Sequence, residues 1–231
     1  MQDFTEPTTH YWQAFEDEVE RERLTPPFRL GYPARLPDGR ILMLPIRRRE
    51  EGSRAVASFI ANHASFAVID GLAAHMAAAL GPLDPELIVG LPTLGLALAP
   101  PLARLLGEPN FVPLGTSRKF SYDEALSEPV TSITTTGAGR RIFVDPNLLP
   151  RLAGKRVVVV DDTISSGTTA VTALRLMRRV GAEVVGLSFA MSQGEHWRET
   201  LAAFAAQWPA KVSYVFTSPH LRLTPDGWEP A

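Results

Sequence analysis

From residue 86 onward, apolar runs too short for helices alternate with longer stretches whose apolar positions recur every three or four residues. The runs predict strands over 86–91 (ELIVGL), 110–115 (NFVPLG), 155–160 (KRVVVV), 182–191 (AEVVGLSFAM) and 211–216 (KVSYVF). Between them, helical spacing covers 94–107, 168–180 and 196–207. Strands alternating with helices imply βαβ units joined by right-handed crossovers, hence an α/β fold with a Rossmann-like parallel sheet flanked by helices. Upstream, 28–47 has two apolar stretches around Pro37-Asp38-Gly39, a hairpin pattern, and 66–80 has helical spacing that stops at Gly81-Pro82. Residues 11–23 read as a short charged helix. The predicted organisation is an N-terminal extension and hood over 1–81, a core over 82–217 with a long polar loop at 116–145, and a tail over 218–231.

The densest chemistry lies in 157–169, VVVVDDTISSGTT. Four consecutive valines predict a strand buried on both faces, as in a parallel sheet covered by helices. That strand ends in Asp161 and Asp162, followed by Thr163, Ser165, Ser166, Gly167, Thr168 and Thr169 at the start of a helix. Ligands of open α/β sheets bind at the carboxyl ends of strands, and a helix N-terminus preceded by small residues favours anions. Gly167 permits a sharp turn, so hydroxyls and amides can wrap phosphate oxygens. Two carboxylates beside a phosphate cradle repel the same anion. They fit a ligand that also offers hydroxyls or a divalent metal, such as a sugar phosphate.

This strand, acidic pair and hydroxylated loop resemble the phosphoribosyl-pyrophosphate (PRPP) signature of type I phosphoribosyltransferases. The resemblance implies that Ser165–Thr169, with Thr163, hold the 5-phosphate and that Asp161 and Asp162 face the ribose hydroxyls. It also implies Mg²⁺ as cofactor, bound to both carboxylates through water. A second family loop, contacting pyrophosphate and often carrying a non-proline cis peptide, corresponds to Leu91, Pro92, Thr93, Leu94 and Gly95. Some members carry a basic residue there and this chain has none. The polar stretch 116–145 corresponds to a lid, with Arg118 and Lys119 assigned to pyrophosphate and Lys119 to the catalytic set with the two aspartates. Arg140 and Arg141 read as solvated surface charges, and 130–135 with 141–145 as a hairpin. SRKFSYDEALSEPVTSIT, together with VASFIANHAS at 56–65, is similar to the adenine/xanthine branch. By that likeness Asn62 and Gln193 read the base, while His63 is a packed or solvated histidine. Gln193 stands where the xanthine enzyme has a lysine, and it supplies no positive charge.

Composition narrows the class without naming the reaction. The chain has 231 residues, 45% hydrophobic and 21% charged, with a formal net charge of −2, so no whole-molecule field draws it to nucleic acid. Without cysteine, thiolate catalysis and cysteine-ligated metals are excluded. No apolar run is expected to span a membrane, and the acidic N-terminus lacks the layout of a signal peptide. A cytoplasmic enzyme is the expectation, with PRPP and a nucleobase as ligands, a homodimer as its assembly and no nucleic-acid partner. The loop after Asp162 lacks the lysine of a nucleotide-binding P-loop, and no GxGxxG, HExxH or GxSxG occurs. Arg47-Arg48-Arg49 precedes Glu50-Glu51 and reads as a solvated turn. The expected reaction joins a base, most simply a purine, to PRPP. The alternative is a PRPP-sensing regulator without turnover.

Overall fold

A computed structural model describes residues 10–120, 122–130 and 141–231. After a one-turn helix at Arg21–Leu24 (α1), the chain forms strands Gly31–Arg35 (β1), Ile41–Arg48 (β2) and Arg54–Ala57 (β3). The helix Phe66–Leu80 (α2) follows, then strand Leu87–Gly90 (β4), helix Gly95–Leu105 (α3) and strand Phe111–Pro113 (β5). Two short strands, Ser127–Pro129 (β6) and Arg141–Phe143 (β7), pair antiparallel, and a single helical turn spans Leu149–Leu152 (α4). Next come strand Arg156–Ile164 (β8), helix Thr168–Arg179 (α5), strand Glu183–Gln193 (β9) and helix His196–Phe204 (α6). The chain ends in strands Val212–Ser218 (β10), His220–Thr224 (β11) and Gly227–Pro230 (β12).

The central sheet runs β10-β9-β8-β4-β5 with every pairing parallel. Its middle strand shows why four valines sit in a row: side chains alternate across a sheet, and both faces here are covered. Val158 and Val160 pack with Leu72 and Met76 of α2 and with Leu98 and Leu102 of α3. Val157 and Val159 pack with Leu174 and Met177 of α5 and with Trp197 and Leu201 of α6. All four valines are inaccessible to solvent. The helical stretch Phe66–Leu83 has a mean hydropathy of 1.5 over 18 residues, apolar enough to cross a bilayer, where the sequence pattern had suggested no such segment. In this fold it is a core helix that buries Val68, Ile69, Leu72, Met76 and Leu80.

The second sheet, β1-β2-β3-β11-β12, is antiparallel and draws on both ends of the chain. Phe28 and Trp228 exchange backbone hydrogen bonds of 2.7 and 2.8 Å, which bring its two outer strands together. Trp228, Phe28, Ile46, Ala55 and Leu221 fill its inside. Leu42 and Leu44 of β2 instead join the core under α2, so hood and core share one apolar cluster. Residues 218–231, expected as a tail, therefore complete the hood, and α2, grouped with the hood by sequence, packs with the core. The charged helix expected over 11–23 is reduced to Arg21–Leu24. An isolated helix that short is marginal, whereas Trp12 buries its ring, donates Nε1–H to the Ser58 carbonyl and holds the segment against the hood. Glu16 and Ile41 extend that attachment with reciprocal backbone bonds of 2.8 and 2.9 Å.

Candidate active site

At the carboxyl end of β8 the strand does not stop at Val160 as the valine run suggests. It continues through Ile164 because β9 is long enough to pair with it, Asp161 opposite Phe189 and Thr163 opposite Met191. The acidic pair is thereby set in regular backbone, and Asp161 Oδ1 accepts the Asp162 amide at 3.0 Å. Asp162 is buried and Asp161 partly so. Burial pushes the Asp162 carboxyl from 3.8 up to about 6, opposed by the Thr163 amide. Burial, then the Asp162 charge, drives Asp161 well above the usual carboxylate range, with the Gly95 amide pulling the other way. Neither carboxyl is ion-paired among the described residues, and a positively charged ligand or a divalent ion would supply the missing cation.

Gly95 explains how the neighbouring turn comes so close. A Cβ at this position would lie 2.5 Å from the Val160 carbonyl oxygen and 3.0 Å from Asp161 Oδ1. Only glycine lets α3 begin against the acidic pair. The turn that precedes it contains a cis peptide between Pro92 and Thr93. Pro92, Thr93 and Leu94 line one wall of a cavity of about 330 Å³, and Asp161, Asp162 and Thr169 line another. Leu91 lies outside: its side chain is buried in the core, and its amide is spent on the Val160 carbonyl at 2.8 Å.

Beyond the acids the backbone turns at Gly167, whose φ of +78° suits glycine, and α5 begins at Thr168. Ser166 Oγ donates to Thr168 Oγ1 at 3.1 Å and accepts the Thr168 amide at 3.3 Å, which pre-forms the loop. Thr163 Oγ1 is buried without a hydrogen-bond partner among the described residues, and Thr163 is absent from the cavity wall.

The third wall is one that sequence reasoning assigned to the surface. Arg141 lines the cavity with Thr116, Val130 and Ile142. Its guanidinium donates Nε–H to Ser127 Oγ at 3.0 Å and Nη2–H to the same oxygen at 2.8 Å, so the β6–β7 pairing aims it. The strand pair that does this joins 127–129 to 141–143, whereas the expected partner segment over 131–135, and Arg140, lie outside the described residues. Arg118 and Lys119 are exposed and do not line the cavity, and Arg118 stands 3.9 Å from Glu124. Asn62 is exposed in a one-turn helix that packs against α3. Gln193 ends β9 and donates Nε2–H to the Ala57 carbonyl at 3.0 Å. The structure thus gathers the acidic pair, Pro92, Thr93, Leu94 and Thr169 around one cavity and leaves Leu91, Gly95, Thr163, Ser165, Ser166, Gly167, Thr168, Asn62, Gln193, Arg118 and Lys119 off its wall.

A family model described as the phosphoribosyl transferase domain matches residues 56–206, more than half of the chain. The chain belongs to the phosphoribosyltransferase family. It is a transferase of that family, and its α/β sheet is the family's. The adenine phosphoribosyltransferase of Streptomyces avermitilis is 34% identical over 139 residues, 60% of this chain and 71% of that one. That of Synechococcus sp. is 36% identical over 121 residues, 52% of this chain and 67% of that one. Among solved structures, adenine phosphoribosyltransferase from Thermoanaerobacter pseudethanolicus has a TM-score of 0.52 at 21% identity, over 65% of this chain and 80% of that one. The Giardia lamblia enzyme, complexed with 9-deazaadenine, has a TM-score of 0.53 at 20% identity over the same shares. These two likenesses show the shared fold. The matched segment omits β1, β2, β11 and β12.

Proposed function

We propose that this protein joins a purine base, adenine before others, to PRPP and releases a nucleoside 5′-monophosphate and pyrophosphate. The observation that carries the reading is the convergence of Asp161, Asp162, Pro92, Thr93, Leu94 and Thr169 on one cavity at the carboxyl end of a parallel sheet. In this reading the Ser165–Thr169 loop grips the 5-phosphate through hydroxyls and the amides opening α5, remote binding that fixes the anomeric carbon. The ribose hydroxyls face Asp161 and Asp162, whose charge also favours an oxocarbenium-like sugar in the transition state. Arg141 is the fixed cation for pyrophosphate that the 91–95 loop lacks, with Arg118 and Lys119 reaching it as the lid closes and excludes water. As the anomeric C–O bond breaks, a base nitrogen forms the new C–N bond, and its proton leaves with pyrophosphate.

The donor set suits Mg²⁺. Beside Arg141, the polar side chains that line the cavity are the carboxyls of Asp161 and Asp162 and the hydroxyls of Thr93, Thr116 and Thr169, and no cluster of three His, Cys, Asp or Glu forms a protein cage among the described residues. A hard cation that keeps most ligands as water and phosphate oxygen matches that arrangement. When bound there it would neutralise pyrophosphate as a leaving group. For the base, Asn62 and Gln193 are the proposed readers. With Gln193 donating to the Ala57 carbonyl, its own carbonyl oxygen is left to accept from an exocyclic amine, which favours adenine over xanthine. A homodimer in the cytoplasm completes the proposal, on the family resemblance.

The direct test is Asp161→Asn with Asp162→Asn, assayed with Mg²⁺, PRPP and adenine. The double variant should stay folded, with a thermal transition no lower than wild type, and lose turnover by roughly a hundred-fold or more, the scale of removing electrostatic stabilisation from a transition state. Unchanged turnover would overturn the assignment of the acidic pair.

A further inference from the structure

A second cavity, of about 290 Å³, lies between the hood and the 165–169 loop, where Ser165 and Ser166, which the proposed reaction uses, meet charged side chains that it does not. Its wall comprises Arg49 and Arg54 from the turn joining β2 to β3, His220 from β11, His196 at the start of α6, and Ser165 and Ser166. No carboxylate lines it. Every polar side chain on the wall can donate a hydrogen bond, and two of them carry a permanent positive charge.

The backbone builds this cluster. Arg49 donates its amide to the Arg54 carbonyl at 2.8 Å, closing the neck of the turn, so the two guanidinium stems leave adjacent positions. His220 pairs opposite Val56 in the β3–β11 register. At Gly194 a Cβ would lie 3.0 Å from His220 Nε2, so glycine there keeps the imidazole against the end of β9. Neither Arg49 nor Arg54 makes an ion pair among the described residues, whereas the neighbouring Arg198 and Arg222 are paired with Glu195 and Glu229. His196 stands 3.5 Å from Glu199. Burial, then the facing Arg49 and Arg54, hold His220 below the usual histidine range, as positive charge in excess would. Arg49, Arg54 and His220 fall outside the family-matched segment 56–206, whereas Ser165, Ser166 and His196 fall inside it.

We infer that this pocket binds a phosphate-type oxyanion, held by Arg49 and Arg54 of the hood with Ser165 and Ser166 of the loop. Paired guanidinium groups match the oxygens of a phosphate better than any neutral ligand. Two sources share that chemistry: the 5-phosphate of the sugar substrate, gripped from its far side, and a separate anion bound beside it.

The experiment is calorimetric titration of inorganic phosphate into the full chain, without and with saturating ribose 5-phosphate. Wild type should bind phosphate, and Arg49→Gln with Arg54→Gln should weaken it at least ten-fold. Arg49→Lys with Arg54→Lys should recover most of that loss. Both arginines are exposed, and an unchanged thermal transition would show the variants folded. Phosphate that still binds beside ribose 5-phosphate identifies a separate anion. Phosphate displaced by ribose 5-phosphate, with both weakened in the glutamine variant, identifies the 5-phosphate itself. Equal phosphate affinity in wild type and the glutamine variant, or none in either, would overturn the inference. No turnover is measured, so failure of the phosphoribosyltransfer reading would leave the result intact.

Discussion

At the scale of single residues, the acidic pair sets the tension in this molecule. A carboxyl whose folded pKa is raised binds its proton more tightly in the native state than in the unfolded chain. The contribution of Asp162 to stability is therefore greatest below pH 3.8, is lost as pH rises through about 6, and stays lost above it. Asp162→Asn should accordingly raise Tm by a few degrees at pH 7 and leave it nearly unchanged at pH 4, measured by calorimetry without ligand. An equal effect at both pH values would contradict the burial argument. Gly95→Ala is expected to act oppositely: with its Cβ 2.5 Å from a carbonyl oxygen, urea denaturation should show a loss of about 1–3 kcal/mol. The aspartates and Gly167 were legible in sequence because strand, acids, loop and helix follow one another directly. Arg141 was not, since its position depends on Ser127, fourteen residues away across a strand pair. Leu91 shows the reverse error: adjacent to the right turn, it has its amide committed to the sheet.

Among the elements, those whose apolar pattern is local appear where the pattern puts them. The helix at 66–80 and the strands at 87–90 and 183–193 follow their periodicity closely. Where a partner strand decides, the boundaries move. The strand through Asp161 runs to Ile164 because β9 supplies hydrogen bonds that the polar residues alone would not attract. The proposed lid begins in exposed chain carrying Arg118 and Lys119, both open to trypsin. Limited trypsinolysis should cut after one of these residues in the free protein and be slowed several-fold by Mg²⁺ with PRPP. Identical cleavage with and without ligand would argue against a closing lid.

For the molecule as a whole, the feature least visible in sequence is the joining of its ends. Arg54–Ala57 pairs with His220–Thr224 across more than half of the chain, and no local pattern announces a contact of that separation. Trp228, only 1% exposed, anchors that closure. Trp228→Ala should cost about 3–5 kcal/mol by denaturant unfolding, even though the residue lies outside the family-matched segment. A loss under 1 kcal/mol would mean that the hood contributes little to the fold. The same closure brings Arg49, Arg54 and His220 beside Ser165 and Ser166, so the proposed anion pocket depends on it. The central claim, base transfer at the acidic pair, is tested most directly by incubating the full chain with Mg²⁺, PRPP and a panel of purine and pyrimidine bases. Nucleotide and pyrophosphate would be resolved by chromatography. The account predicts AMP and an equal amount of pyrophosphate with adenine, and little product with xanthine. PRPP binding with no nucleotide formed from any base would contradict it.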